Sequence, residues 1–250
     1  MYAEFFTPVD NVVLAHNLLL PKQSLGRNIH IYSEKEGFPS LENVKIAIIG
    51  VNETRNSTTK AKEKVSISQI RLQLYKLFLG NWGATMADLG NIPPGETVDD
   101  TYFALSKVLA ALVKNGTIPV IIGGSQDLTY AAYRAFDSLD QMVNLVSIDS
   151  RFDFGSAEEL ISSQSYMSKI IVEKPNNLFN FSNIGYQTYY NAQEEIDLME
   201  RLFFEAYRLG ETIKNITVVE PVLRDADMVS LDMTCVRAAD LGSTAHTLPN

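Results

Sequence analysis

The stretch TVDDTYFALSKVLAALVKNGTIPVIIGG (residues 97–124) decides the fold, because it predicts a helix followed directly by a buried strand. Thr97 and Asp100 form a start typical of a capping box, and Gly116 stands where a helix favours a C-terminal glycine. Between them, apolar residues recur at helical spacing: Leu105, Val108, Leu109 and Leu112. The run IPVIIGG (118–124) is continuously apolar, which is typical of a strand covered on both faces.

The same alternation of strand and helix continues outward from this stretch. Five further segments predict strands: 45–51, 84–90, 142–150, 216–221 and 226–233. Three further segments predict helices: 66–80, 127–136 and 193–210. This order predicts βαβ units and therefore an α/β class, a three-layer αβα sandwich on a mostly parallel sheet. Residues 1–44 lack periodicity and predict an N-terminal extension packed on the main body, and residues 45–250 predict one α/β domain.

Composition excludes several classes of protein. The net charge of −9 disfavours nucleic-acid binding, since an acidic surface repels phosphate. The N-terminus lacks the basic start of a signal peptide, and its apolar stretch is too short to span a bilayer, so we expect a cytoplasmic protein without membrane contact. A single cysteine, Cys235, excludes an internal disulfide. With only His16, His30 and His246 besides, zinc sites built from histidine and cysteine are excluded.

Three polar clusters follow predicted strands, at 123–127, 149–153 and 230–234. Ligands of open α/β sheets bind beyond the carboxyl ends of the strands. Carboxylates at the mouths of buried strands lose hydration unless they are paired or bind a metal. The clusters therefore predict that Asp149, Asp153 and Asp232 converge on a cation.

In order and spacing, IIGGSQDLTY (121–130), SIDSRFDFG (147–155) and VSLDMTCVRAA (229–239) resemble three motifs of the ureohydrolases, the arginase, agmatinase and formimidoylglutamase family. Those motifs are Gly-Gly-Asp-His, Asp-Ala-His-x-Asp and Ser-x-Asp-x-Asp-x-x-Asp-Pro. The resemblance spans roughly residues 45–239 and implies an arginase-like fold. It also implies hydrolysis of guanidino or formimino C–N bonds with a pair of manganese ions.

The departures from these motifs argue against that reaction. In the family, two histidines and four aspartates hold the metals; here Gln126 and Arg151 stand at the histidine positions, and Thr234 replaces an aspartate. The resemblance retains three aspartates: Asp149, Asp153 and Asp232. Arg151 places a permanent positive charge where a metal would lie and cannot become a ligand. We expect it to replace that cation and to bind the remaining carboxylates in bidentate fashion.

Two interpretations of the retained aspartates stay open. One is a single Mn, Mg or Ca ion on Asp149, Asp153, Asp232 and Gln126, which offer the oxygen ligands that hard cations prefer. The other is a metal-free salt-bridge cluster, which the built-in cation favours. Two-metal hydrolysis needs a water activated by both ions, so we expect little activity and name Asp149 and Asp153 as the only catalytic candidates.

These interpretations give three hypotheses for function. The first is a pseudoenzyme that keeps the fold to bind a small amidine or guanidino ligand, and the second is a single-metal hydrolase. The third is a structural or assembly subunit. Arg237 and Ala238 replace the Asp-Pro of the third motif, and the chain then stops at Asn250, before the family's last strands. A sheet without those strands exposes an edge, which predicts a homo-oligomer or a protein partner. No nucleotide-binding motif occurs.

Overall fold

A computed structural model describes residues 3–58, 66–156 and 159–237 of the chain. These residues form two compact units: residues 3–55 with 66–125, and residues 56–58 with 126–156 and 159–237. Each unit contains a four-stranded sheet in which neighbouring strands pair in parallel. The predicted α/β class with a parallel sheet is therefore confirmed. In the described residues, no helix is both long and apolar enough to cross a membrane.

The first unit holds the helix and strand with which the prediction began. Its strands, in the sheet order β1-β3-β2-β4, are β1 His30–Ile31, β2 Ile46–Val51, β3 Met86–Ile92 and β4 Ile118–Ile122. Its helices are α1 Asn11–Leu18, α2 Ile67–Leu74 and α3 Val98–Lys114. The helix predicted at 66–80 ends early, because Tyr75 and Leu77 turn their carbonyl oxygens to the N–H groups of Gly26 and Leu25.

The N-terminal segment is part of this sheet. Within residues 1–44, for which no periodicity was found, β1 pairs with β3. Thr7 adds two hydrogen bonds to Asn91, one from each backbone N–H to the carbonyl oxygen of the other residue, at 2.8 and 2.9 Å. This approach requires Gly90, whose φ is +82° and at which a Cβ would lie 2.1 Å from the Thr7 carbonyl oxygen. The segment thus forms one edge of the sheet.

A buried ion pair joins α2 to β3. Arg71, 1% exposed, donates from Nε and Nη2 to the two carboxylate oxygens of Asp88 at 2.7 and 2.8 Å. Its Nη1 donates to Asn91 Oδ1 at 2.6 Å, and Tyr75 donates its hydroxyl to Asp88 at 2.8 Å. Burial and the Asp88 charge raise the pKa of Tyr75, so its hydroxyl remains a donor. Every charge in this network therefore has a partner of the correct type.

The capping box predicted at the start of α3 is present. Thr97 Oγ1 accepts from the Asp100 N–H at 3.2 Å, and Asp100 Oδ2 accepts from the Thr97 N–H at 2.7 Å. We expect Thr97→Ala to lower the free energy of unfolding by about 1 kcal/mol, since the first turn loses its acceptor. Urea denaturation measures this change. Ser106→Ala, at a partly exposed position of the same helix, is the control; an equal loss there would contradict the role of the cap.

The second unit is also layered. Its strands, in the sheet order β7-β6-β5-β8, are β5 Val143–Ile148, β6 Leu178–Tyr186, β7 Glu205–Arg208 and β8 Met228–Leu231. Its helices are α4 Leu128–Arg134, α5 Tyr166–Val172, α6 Gln193–Arg201, α7 Leu209–Lys214 and α8 Glu220–Arg224. One apolar cluster packs α4, α5 and α6 against one face of the sheet. A second cluster covers the other face with residues near α8, which gives three layers.

Two predicted elements of this unit are wrong. The helix predicted at 193–210 ends at Arg201, because Phe203 adopts a left-handed φ of 56° and the chain then forms β7. The segment 216–221, predicted as a strand, is a 3₁₀ helix that runs into α8, where Pro221 occupies the first turn. Strand β6 and helix α5 were not predicted.

Candidate functional site

The ends of two neighbouring strands bring Asp149 and Asp232 to one edge of the second sheet. Ile148 of β5 pairs with Leu231 of β8, and each is followed directly by one of these aspartates. The Asp232 N–H donates to the Ile148 carbonyl oxygen at 3.1 Å, so the register continues past the strands. The charge of Asp232 acts on Asp149 and helps to raise its pKa. The two aspartates therefore follow paired strand ends at the same edge of the sheet.

Asp149 and Asp153 form a buried carboxyl pair. They are 1% and 4% exposed, and Oδ2 of Asp149 has no hydrogen-bond partner among the described residues. Burial, with the charge of Asp232, raises the pKa of Asp149 to about 7, and burial with the charge of Asp149 raises the pKa of Asp153 well above its usual range. Each carboxyl group therefore binds its proton more tightly than it would in water.

The Arg151 side chain does not make the contact that the sequence predicted. No ion pair joins it to an aspartate within the described ranges; instead Nη1 donates to the Tyr190 carbonyl oxygen at 2.7 Å. The guanidinium also lies over the Tyr190 ring, 5.1 Å from its centroid. Arg151 reaches Asp149 through its backbone N–H, at 2.9 Å from Oδ1. Its charge acts at longer range, where it lowers the pKa of Asp153 against the effect of burial.

Tyr190 lies next to Arg151 because hydrogen bonds join the loop after β5 to the loop after β6. Asn191 Oδ1 accepts from the Phe152 N–H at 2.8 Å, and Asn191 Nδ2 donates to the Ser150 carbonyl oxygen at 3.1 Å. The Gln187 N–H donates to the same oxygen, also at 3.1 Å. The loop after β6 is thereby held against the loop after β5. This places the Tyr190 carbonyl oxygen within hydrogen-bond distance of the Arg151 guanidinium.

Gln126 belongs to a row of polar side chains that crosses the sheet. Ser147 of β5 pairs in register with Asn183 of β6 and with Ser230 of β8, so these three side chains share one face. Gln126 Nε2 donates to Ser230 Oγ at 2.7 Å, and Thr129 Oγ1 lies 2.5 Å from the same atom. Gln126 thus donates a structural hydrogen bond through its amide nitrogen, whereas the ligand atom predicted from the sequence is its amide oxygen.

The remaining sequence candidates have local roles. Thr234 donates its N–H to Asp232 Oδ1 at 2.6 Å, which caps a short 3₁₀ helix. Burial, with the charges of Asp149 and Asp232, raises the pKa of the Cys235 thiol to about 11, so its nucleophilic form is disfavoured. Ala238 and His246, named in the sequence analysis, lie outside the described residues.

These residues do not fit a pair of metal ions. The positions of the two family histidines hold Arg151, a cation, and Gln126, which offers an amide oxygen in place of an imidazole nitrogen. In the ranges that the structure describes, no group of three or more His, Cys, Asp or Glu side chains is arranged to hold a metal. A metal on Asp149 and Asp153 would have to compete with protons, because burial raises the pKa of both carboxyl groups.

A model of the arginase family matches residues 42–249 of the chain. The chain therefore belongs to the arginase family, the ureohydrolases, as the three motifs predicted. A search of curated proteins found no match.

Solved structures support the same fold. Formiminoglutamase from Trypanosoma cruzi with Mn²⁺ superposes with a TM-score of 0.72 at 18% identity, over 80% of this chain and 74% of that one. Formimidoylglutamase from Bacillus subtilis subsp. subtilis str. 168 gives 0.72 at 14%, over 85% and 73%. Agmatine ureohydrolase of Thermoplasma volcanium gives 0.67 at 21%, over 84% and 74%. At these identities the likeness shows an arginase-like fold.

Sequence reasoning missed the contribution of β6 to this site. Asn183, Gln187 and Tyr190 lie on or just after that strand, and each contacts the site or its supporting loop. The run LFNFSNIGY (178–186) is rich in aromatic and apolar residues, which favours a strand. Asn180 and Asn183 interrupt the apolar pattern, so the sequence analysis did not predict a buried strand there.

Proposed function

We propose that this member of the arginase family has lost two-metal hydrolysis and acts as a pseudoenzyme that binds a small amidine or guanidino ligand in the cytoplasm. In this proposal the protein has no resident metal pair. The observation that carries it is Arg151, a fixed cation at the position of a metal-binding histidine, held by the Tyr190 carbonyl oxygen and ring. A metal placed beside it would be repelled, and a guanidinium offers no lone pair for coordination.

The other substituted positions support the same proposal. Gln126 offers a neutral amide oxygen where the family motif has a histidine nitrogen, and the Thr234 hydroxyl replaces a charged oxygen ligand with a neutral one. Without a second ion, no bridging water is activated near neutral pH. A single ion on Asp149, Asp153 and Asp232 is the alternative that keeps hydrolysis, and it has to compete with protons for the first two, because burial raises the pKa of both.

Assembly with further chains is a second candidate function, in line with the homo-oligomer or protein partner expected from the sequence. Among the residues that the structure describes, β8 lies at an edge of the second unit's sheet, and its side chains Val229 and Leu231 are each 50% exposed. Exposed apolar side chains at a sheet edge favour contact with another chain. Size-exclusion chromatography with light scattering tests this candidate, and a monomer at all concentrations would contradict it.

Elemental analysis of protein purified without chelator, together with release of urea, ammonia or formamide, tests the proposed loss of hydrolysis. We expect far less than two manganese ions per chain and no turnover of arginine, agmatine or formimidoylglutamate. Two bound manganese ions with turnover would overturn the proposal. One ion with turnover would favour the single-metal hydrolase.

The triple variant Gln126→His, Arg151→His and Thr234→Asp is expected to bind manganese where the unaltered chain does not. It restores the two nitrogen ligands and the carboxylate that the family motifs contain and removes the cation. Isothermal titration with MnCl₂ measures the gain. Gln126→Asn, Arg151→Gln and Thr234→Ser, combined in one chain, form the matched control. Equal manganese binding by control and triple variant would contradict the assignment of these positions.

A further inference from the structure

Arg151 keeps unused hydrogen-bond donors in a fixed position. Its guanidinium carries five N–H groups, and among the described residues only Nη1 has a protein acceptor, the Tyr190 carbonyl oxygen. The stacking contact with the Tyr190 ring holds the plane of the group. Nε and Nη2 are therefore a preorganised fork of donors on a partly exposed side chain.

Gln187 supplies a second unused donor. The residue is 9% exposed, and its Nε2 has no hydrogen-bond partner in the described chain, while its Oε1 accepts from the Tyr189 hydroxyl. A buried amide N–H without an acceptor costs about 1–3 kcal/mol, so Gln187 Nε2 calls for an acceptor from outside the described chain. Gln187 belongs to no predicted motif and has no part in the family's metal positions.

A continuous set of contacts joins these two donors. The Gln187 amide contacts the Tyr189 hydroxyl, the Tyr189 ring packs edge-on against Tyr190 with centroids 4.6 Å apart, and Arg151 lies over Tyr190. The Gln187 backbone is also tied to Ser150, the residue before Arg151. Tyr189 is 64% exposed, so this side of the loop is open to solvent.

We propose that Arg151 and Gln187 bind the carboxylate group of a small molecule. A planar carboxylate matches the guanidinium fork in bidentate fashion and accepts the amide N–H besides. The positive charge of Arg151 attracts an anion and repels a cation at this place. The inference rests on the proposed function, since a metal pair at this edge would take the place of the anion.

NMR titration of manganese-free, ¹⁵N-labelled protein with sodium acetate tests the site, with sodium chloride at equal ionic strength as reference. We expect saturable shifts of the Gln187 side-chain NH₂ and Arg151 Nε–H resonances. Arg151→Gln is expected to weaken acetate binding about tenfold or more, and Arg151→Lys to weaken it less, because lysine keeps the charge without the fork. Arg201→Gln, which removes an exposed arginine of α6, is the control and should bind as the unaltered protein does.

Two results would overturn this inference. One is the absence of a saturable shift in the unaltered protein, or equal acetate affinity after Arg151→Gln. The other is displacement of acetate by inorganic phosphate at a lower concentration than acetate itself needs, which would assign the site to a tetrahedral anion. Two manganese ions per chain would contradict the proposed function, whereas lost acetate binding in manganese-free protein contradicts the carboxylate site alone.

Discussion

Arg71→Leu is expected to lower the free energy of unfolding of the first unit by about 3–5 kcal/mol. The substitution removes a fully buried guanidinium and leaves the Asp88 carboxylate, which is 0% exposed, with the Tyr75 hydroxyl and the Gly90 N–H as its only remaining donors. An isolated buried charge is unfavourable because the protein interior cannot replace its hydration. Chemical denaturation followed by circular dichroism measures the loss.

Arg224→Leu is the matched control for this prediction. Arg224 also pairs with a carboxylate, that of Glu220, but the two side chains are 69% and 57% exposed. Such a surface pair contributes little, so the control should change stability by less than about 0.5 kcal/mol. Similar effects of the two substitutions would show that burial does not determine how much the Arg71 ion pair contributes to the free energy of unfolding.

Asp149→Asn is expected to raise stability at pH 8 by about 1–3 kcal/mol, because it removes a charge that the folded protein holds unfavourably. Burial and the Asp232 charge raise the pKa of Asp149 in the folded chain to about 7, above its ordinary value near 3.8. The folded state therefore binds the proton more tightly than the unfolded state does. Its contribution to stability is complete below about pH 4 and is lost as the pH rises through about 7.

Denaturation of wild type and Asp149→Asn at several values between pH 4 and 8 tests the sign of this effect. The difference between the two proteins isolates Asp149 from other titrating groups. Asp227→Asn is the control: it makes the same change at an exposed carboxylate that accepts from the Asn144 N–H, and we expect no gain at pH 8. A bound metal would give the opposite pattern. Asp149→Asn would then lower stability at pH 8, and a chelator would lower the stability of wild type as well.

Local signals explain which parts of the fold were predictable. The capping box of Thr97 and Asp100 and the apolar stripe after it lie within one helix, so they predicted α3 within two residues of its ends. The prediction of one helix over 193–210 was wrong for the opposite reason, because a non-local contact ends that helix early. Phe203 continues the helical spacing of Ile196 and Met199, but its left-handed backbone begins a strand that pairs with β6. Pairing across the sheet decides that segment, and no local pattern records it.

The candidate site likewise has a part that local sequence signals predict and a part that depends on contacts between distant residues. Asp149 and Asp232 were predictable, since each directly follows a recognisable buried strand and parallel strands end at one edge. The orientation of Arg151 was not, because its partner Tyr190 lies 39 residues further along the chain on a loop that follows an unpredicted strand. Charge alone suggested the aspartates as partners, whereas packing brought a carbonyl oxygen and an aromatic ring closer.

The N-terminal edge of the first sheet bears on whether β3 can pair with a strand of another molecule. β1 and Thr7 occupy backbone donors and acceptors along the outer side of β3, and Gly90 gives Thr7 the room to do so. Without them, β3 would offer an open template to a strand of another molecule. The segment from Thr7 to Ile31 thus covers this side of β3, and we expect that a side chain at position 90 would weaken the cover and promote pairing between molecules.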